Sequence, residues 1–280
     1  MYNKKAVILN GLARGGTNIT WNILQSHPNI VSPVFETNQI IGGRSLLAPL
    51  KPLLTREGLS YPFIRNYVNH RFSRYKLKNL SVDDNKYKTD GLLYTKEEVQ
   101  QATLCIKGIC SHNNWDLHYS ELLYHSFQET YFISLVRDGF AVCESWKRRG
   151  VSPRTSGLLY ARYIEQIIRD AEKFRNYKII RFEDVLSSPF DMAHELFHFI
   201  RESPEKVQKL RIKVKNTLNR EKRHLAHYGE ENRKYWFTPS TIDQIIRTDI
   251  NQVQNSGLSE KDKKEFQQEA QEALQHFHYL

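Results

Sequence analysis

The chain has 280 residues, 40% of them hydrophobic and 12% aromatic, a formal net charge of +10 and three cysteines. That composition argues against a disordered chain, and three thiols with no CxxC pair or His/Cys cluster argue against a disulfide framework or a structural metal; no metal is expected. The positive charge points to an anionic partner, and no segment approaches the ~20 apolar residues of a membrane span.

Taken in chain order, Ala6–Leu9 is a short β-branched run, too short for a signal peptide. It breaks at a glycine turn and leads into a helix that ends before His27-Pro28. Residues 29–100 are irregular and basic, with a helix over Tyr61–Tyr75 and a polar loop over Ser81–Gly91. Thr103–Ile109 reads as a buried strand, Leu117–Phe127 as a helix, Tyr131–Val136 as a strand and Phe140–Arg148 as a helix. An amphipathic helix over Leu158–Phe174 precedes a strand at Tyr177–Arg181. Helices follow at about 190–201 and 204–218, and the tail from Pro239 is mostly helical. Alternating strands and helices predict an α/β fold, a P-loop-like three-layer αβα sandwich with a central, mostly parallel sheet. One domain, 1–280, is expected, with its site at the carboxyl ends of the strands.

Two strand-to-helix turns carry the chemistry. In the first, Gly11-Leu12-Ala13-Arg14-Gly15-Gly16-Thr17-Asn18, the glycines let backbone N–H groups and a helix N-terminus face an anion. The Gly11-x-x-x-x-Gly16 spacing matches a Walker A loop, but Thr17 stands where that loop needs lysine, and Arg14 supplies the cation instead. In the second, Val136-Arg137-Asp138-Gly139, Arg137 sits at a strand end. Ser145 lies two helical turns on, where a guanidinium fork and a hydroxyl can share one phosphate. Asp138 suits a helix cap. Read alone, the second turn is equally a surface arginine, a capping aspartate and an exposed serine.

A third segment, Ile180-Arg181-Phe182-Glu183-Asp184-Val185 followed by Ser188-Pro189, completes a set of three. In order and spacing the set resembles the nucleotide-binding signatures of sulfotransferases that use 3′-phosphoadenosine 5′-phosphosulfate (PAPS). Gly11-x-x-Arg14-Gly-Gly-Thr followed by Leu24-x-x-His27-Pro28 is similar to the tyrosylprotein and bacterial-type members, with Ala13, Gly15 and Asn18 as departures. The resemblance implies PAPS as co-substrate. Arg14, Gly15, Gly16, Thr17 and Asn18 then hold its 5′-phosphosulfate, and Arg137 and Ser145 hold its 3′-phosphate. Phe182 would lie at the adenine, where relatives often carry a hydroxyl. Arg233 and Lys234, before Pro239, resemble a late basic loop that closes over the nucleotide, within a helical C-terminal part spanning 220–280.

Sulfuryl transfer needs a base for the acceptor's proton and cations for the developing charge. The resemblance implies Glu36, in Phe35-Glu36-Thr37-Asn38, as base, with Lys107 and Arg14 as catalytic cations. A lysine inside so apolar a strand needs an anionic partner, catalytic or structural. His112 is the alternative base, on a poorer register. Glu183 and Asp184 suit helix capping and structure, and His224, His227, His276 and His278 offer no ligand geometry. The acceptor is expected against residues 38–100, read as an acceptor-binding insertion, and 110–128. Their aromatics (Tyr61, Phe63, Tyr67, Phe72, Tyr75, Trp115, Tyr119) and arginines (Arg44, Arg65, Arg71, Arg74) suit a small molecule or natural product, a carbohydrate or a peptide. A cytoplasmic tailoring enzyme acting on a small molecule or carbohydrate, without a nucleic-acid partner, is the expectation. The alternatives are a P-loop kinase or NTPase, weakened by the missing Walker lysine, and a non-catalytic polyanion-binding protein.

Overall fold

A computed structural model describes residues 3–42, 61–81, 94–214, 217–218, 224–225, 228–230 and 233–280. Arg44, His227 and the polar stretch 82–91 lie outside the described residues, as does the side chain of His224. In chain order the elements are β1 (Lys5–Leu12), α1 (Thr17–Gln25), β2 (Ile30–Val31), α2 (Thr37–Ile41), α3 (Pro62–Lys78) and α4 (Lys96–Gln101). The central part comprises β3 (Thr103–Ser111), β4 (Asn114–Trp115), α5 (Ser120–Ser126), β5 (Glu129–Val136), α6 (Gly139–Lys147), α7 (Pro153–Lys173) and β6 (Tyr177–Arg181). The chain then forms α8 (Phe182–Ser187), α9 (Pro189–Phe199), β7 (Leu210–Lys213), β8 (Thr217–Leu218), β9 (His224–Leu225), β10 (Lys234–Phe237), α10 (Ile250–Asn255) and α11 (Glu260–His276).

The main sheet has the order β2-β3-β1-β5-β6, all parallel, with the short β4 antiparallel to β3. Every residue of β1 after Lys5 is buried, as a parallel strand covered on both faces requires. Side chains alternate between the faces. Val7, Leu9, Cys105, Ile133 and Leu135 pack with α1, α8 and α9, whereas Ala6, Ile8, Leu104, Ile106 and Phe132 pack with α3 and α5. Leu12, Cys110 and Val136 continue the second face beneath α6, α7 and α11. These three layers put the ends of β1 and β5 side by side, Gly11 opposite Leu135. The two turns that follow these strands therefore share one edge of the sheet.

Three predicted elements differ. The helix predicted at 204–218 is a 3₁₀ turn, Pro204–Lys206, followed by β7, which pairs antiparallel with β10. Leu210, Ile212 and Val214 are buried, and this period of two defines a strand. Second, of the Arg233–Trp236 segment expected in a closing loop, Lys234–Trp236 lie in that partner strand, β10. Third, β3 runs on to Ser111, which leaves Lys107 inside the strand opposite Leu9 and not at its end. All three cysteines are buried and none is in a disulfide among the described residues.

Lys76 of α3 is 1% exposed and donates to the carbonyl oxygens of Gln100 (3.1 Å) and Ala102 (2.7 Å). Burial lowers its pKa to about 7. The unfolded chain thus binds one more proton than the native one between pH 7 and the ordinary lysine range, so this side chain makes stability rise with pH across that window. In Lys76→Met that contribution, up to about 1.4 kcal/mol per pH unit, should disappear from urea unfolding midpoints measured between pH 7 and 10. An unchanged slope would contradict the assignment.

Candidate active site

The turn after β1 is held open by backbone geometry. Arg14 and Gly16 have positive φ, 73° and 93°, and Gly15 N–H closes the turn on Leu12 O at 2.8 Å. An arginine in the left-handed region costs of order 1–3 kcal/mol unless its surroundings fix it. Here Ala13 N–H donates to Cys110 O (2.7 Å), Trp146 Nε1 donates to Ala13 O (2.8 Å), and Arg137 donates to Arg14 O (2.7 Å). The turn delivers the chain to α1, whose first turn has neither a side-chain cap nor an acidic residue. No backbone carbonyl of the described residues accepts from Gly16, Thr17 or Asn18 N–H. An uncapped helix start is suited to an anion.

Two arginines flank this turn. Arg14 Nε donates to Ser145 Oγ at 2.9 Å, on α6. Arg137, the residue after β5, donates to Arg14 O, to Asn251 Oδ1 (2.8 Å) and to Gln254 Oε1, and lies over the Phe182 ring at 4.7 Å. Ser145 and Arg137 therefore meet through Arg14 and are not bonded to each other. Asp138 caps α6 by accepting from Phe140 N–H at 2.8 Å, and Glu183 accepts from Asp138 N–H (3.1 Å), Asn251 and Tyr279. Burial lowers the pKa of Arg14, helped by the like charges of Arg149 and Arg148. Burial likewise brings Arg137 down to about 10, with Arg14 adding repulsion against the pull of Glu183 and Asp138. A buried guanidinium and an exposed one that repel each other form a place where an added anion gains energy.

The third part of the site faces the start of α1. Lys107 Nζ, 7% exposed, lies 2.7 Å from the Glu36 carboxylate, donates to Asn18 Oδ1 at 3.0 Å and sits over the Trp21 ring at 4.6 Å. Glu36, at the start of α2, is held by its own capping box with Gln39, and Thr37 Oγ1 donates to Lys107 O at 3.0 Å. The lysine thus finds its anionic partner in the predicted base, and the side chain remains 43% exposed there. An exposed carboxylate and a buried cation over the helix start can take a proton and steady a departing anion.

His112 is exposed on the β3–β4 turn and contacts Asn113, its neighbour, at 2.9 Å. Phe182 is 2% exposed and packed against the turn, so that a Cβ on Gly16 would meet its ring at 2.1 Å. Arg233 pairs with Glu230 at 3.1 Å, and Lys234 opens β10. Of the aromatics expected at the acceptor, Phe72, Trp115 and Tyr119 belong to the core, while Tyr61 and Phe63 are exposed. Residues the sequence reading passed over are Trp21, Asn251 and Gln254. Trp21 stands three residues after Asn18, on the same helix face, and that spacing was a usable signal. The amides of α10 carry no such signal.

No protein-family model matches the chain, and no curated protein matches it in sequence. Solved structures do. A sulfotransferase domain from the curacin biosynthetic pathway superposes with a TM-score of 0.52 at 14% identity, covering 97% of this chain and 98% of that one. A sulfotransferase domain of the Synechococcus PCC 7002 olefin synthase gives a TM-score of 0.46 at 20% identity (74% and 78% covered). A sulfotransferase of Alicyclobacillus acidocaldarius gives 0.41 at 15% identity (72% and 82% covered). The chain has the fold of the curacin-pathway domain over almost its full length.

Gly16→Ala tests the cradle. The left-handed backbone and the clash with Phe182 should cost about 1–3 kcal/mol, read as a lowered urea midpoint. A variant as stable as the parent would show that the turn does not need its glycine.

Proposed function

We propose that this protein transfers a sulfuryl group from PAPS to a hydroxyl, or an amine, of a small-molecule or carbohydrate acceptor, releasing 3′,5′-ADP. The observation that carries this reading is Lys107, held between the Glu36 carboxylate and Asn18 of the anion cradle. It joins a proton acceptor to a phosphate seat. Arg14, Gly15, Gly16, Thr17 and Asn18 would seat the 5′-phosphosulfate on the start of α1. Arg137 would take the 3′-phosphate, whose oxygens replace the neutral amide oxygens of Asn251 and Gln254 with charge-assisted bonds. Ser145 orients Arg14.

In the reaction the acceptor oxygen attacks sulfur, the bond from sulfur to the 5′-phosphate oxygen breaks, and the acceptor's proton passes to Glu36. Lys107 and Arg14 stabilise the charge that builds on the departing phosphate, as cations do in phosphoryl transfer. The exposed Phe35 beside Glu36, and Tyr61 and Phe63 at the start of α3, offer flat apolar faces to an acceptor. The fold shared with a sulfotransferase domain from a biosynthetic pathway supports sulfuryl transfer as the reaction class.

Glu36→Gln keeps the shape and removes the proton acceptor. With PAPS and a panel of hydroxyl acceptors, turnover read as 3′,5′-ADP release should fall by about 10²–10⁴-fold, and the affinity for 3′,5′-ADP should stay within a few fold. Full turnover in the variant would remove Glu36 from the chemistry.

A further inference from the structure

The Lys107 ammonium meets three side chains, and only two of them are hydrogen-bond acceptors. Nζ lies 2.7 Å from Glu36 Oε1, donates to Asn18 Oδ1 at 3.0 Å and stands 4.6 Å from the centre of the Trp21 ring. An ammonium carries three N–H groups and accepts nothing, so the indole face completes its surroundings among the described residues. Asn18 and Trp21 are three residues apart on α1, which places them on one face of that helix. The start of α1 therefore offers the same cation both an oxygen and a ring.

The indole is not anchored there by its own donor. Trp21 is half-buried and packs against the core face that α1 shares with α8 and α9, and its buried Nε1 has no hydrogen-bond partner among the described residues. Trp115 and Trp146, by contrast, donate from Nε1 to Gln166 Oε1 and Ala13 O, each at 2.8 Å. A buried N–H without a partner costs free energy, and a leucine in that place would avoid the cost. What the indole adds is the side-chain face that attracts a cation most strongly.

We propose that Trp21 is a positioning residue for Lys107: its ring holds the ammonium at the start of α1 while the ionic partner changes from Glu36 to the departing phosphate. The proposal rests on the reading of Lys107 as a catalytic cation and Glu36 as the base. In sulfuryl transfer Glu36 becomes neutral as it takes the acceptor's proton, so its hold on Lys107 weakens. Negative charge grows at the same moment on the phosphate oxygen that leaves sulfur. Asn18 contributes one neutral oxygen, and a hydrogen bond to it engages a single N–H. A ring face attracts the whole ammonium and leaves its N–H groups free to turn to a new acceptor.

The test combines NMR on the full chain carrying ¹³C-labelled lysine with kinetics of Trp21→Phe and Trp21→Leu. The Lys107 ε-methylene signal, assigned with Lys107→Met, should lie upfield of the other lysines in the parent, because the indole ring current shields it. The displacement should shrink in Trp21→Phe, vanish in Trp21→Leu, and persist in the parent when 3′,5′-ADP is added. With PAPS and an active acceptor, kcat should fall by about 5–30-fold in Trp21→Leu, the factor that a cation over an indole is worth. It should fall less in Trp21→Phe, which keeps an aromatic face, and the KM for the acceptor should stay within a few fold. A purely structural role would lower kcat alike in the two variants, since both lose the bulk of the indole. A Lys107 signal at the ordinary lysine position in the parent, its return there on addition of 3′,5′-ADP, or equal kcat in Trp21→Phe and Trp21→Leu overturns the proposal. If Trp21→Leu does not fold, the signal of the parent with and without 3′,5′-ADP still decides. Failure of the sulfuryl-transfer reading would show separately, as absence of 3′,5′-ADP binding to a parent whose Lys107 signal is shifted upfield.

Discussion

Two arginines meet at the carboxyl edge of the sheet, and the buried Arg137 guanidinium bonded to the backbone of the exposed Arg14 is the constraint on which the site depends. Arg137 donates to the carbonyl of Arg14, and the Arg14 side chain reaches Ser145. These bonds hold a non-glycine residue in the left-handed region, which in turn sets the path of Gly15 and Gly16 into α1. Asn251 and Gln254 satisfy the Arg137 fork with neutral oxygens only. The fold keeps Arg137 buried and Arg14 exposed beside it, with no carboxylate bonded to either guanidinium among the described residues. A structure selected for stability alone would replace a buried cation like Arg137 with an apolar group. Its presence is what a doubly phosphorylated ligand would require.

The sheet supplies the geometry for this. Because β1 lies between β3 and β5, its turn can be reached from both neighbours. Lys107 and Glu36 approach from the β3 side, Arg137 and Ser145 from the β5 side. The transferring group would lie between a base with its cation and a phosphate seat, with no long loop needed to bring them together.

Much of this was legible in the chain. Tyr177–Arg181 was predicted to the residue, because an apolar strand bounded by polar turns leaves little choice of ends. The turn 11–18 and Arg137 were legible because glycine and arginine at a strand end have few local roles. The misreadings have physical causes. Basic residues between Leu210, Ile212 and Val214 resembled a helix face, although the period of two was present. The hydrogen bond from Arg14 to Ser145 depends on the left-handed turn, a rotation that no sequence spacing encodes. The amides of α10 are tied to Arg137 only by long-range contacts, and an asparagine and a glutamine in a short helix carry no signal of their own.

The central claim is that the two arginine-bearing turns form one seat for two phosphates. Isothermal calorimetry of the parent protein with 3′,5′-ADP, 5′-AMP and ATP with magnesium tests it most directly. The account predicts that 3′,5′-ADP binds at least about tenfold more tightly than 5′-AMP, one charge-assisted phosphate contact being worth about 1.5–3 kcal/mol, and that Arg137→Ala removes the difference. Equal affinity for 3′,5′-ADP and 5′-AMP, or a preference for ATP with magnesium, would contradict it.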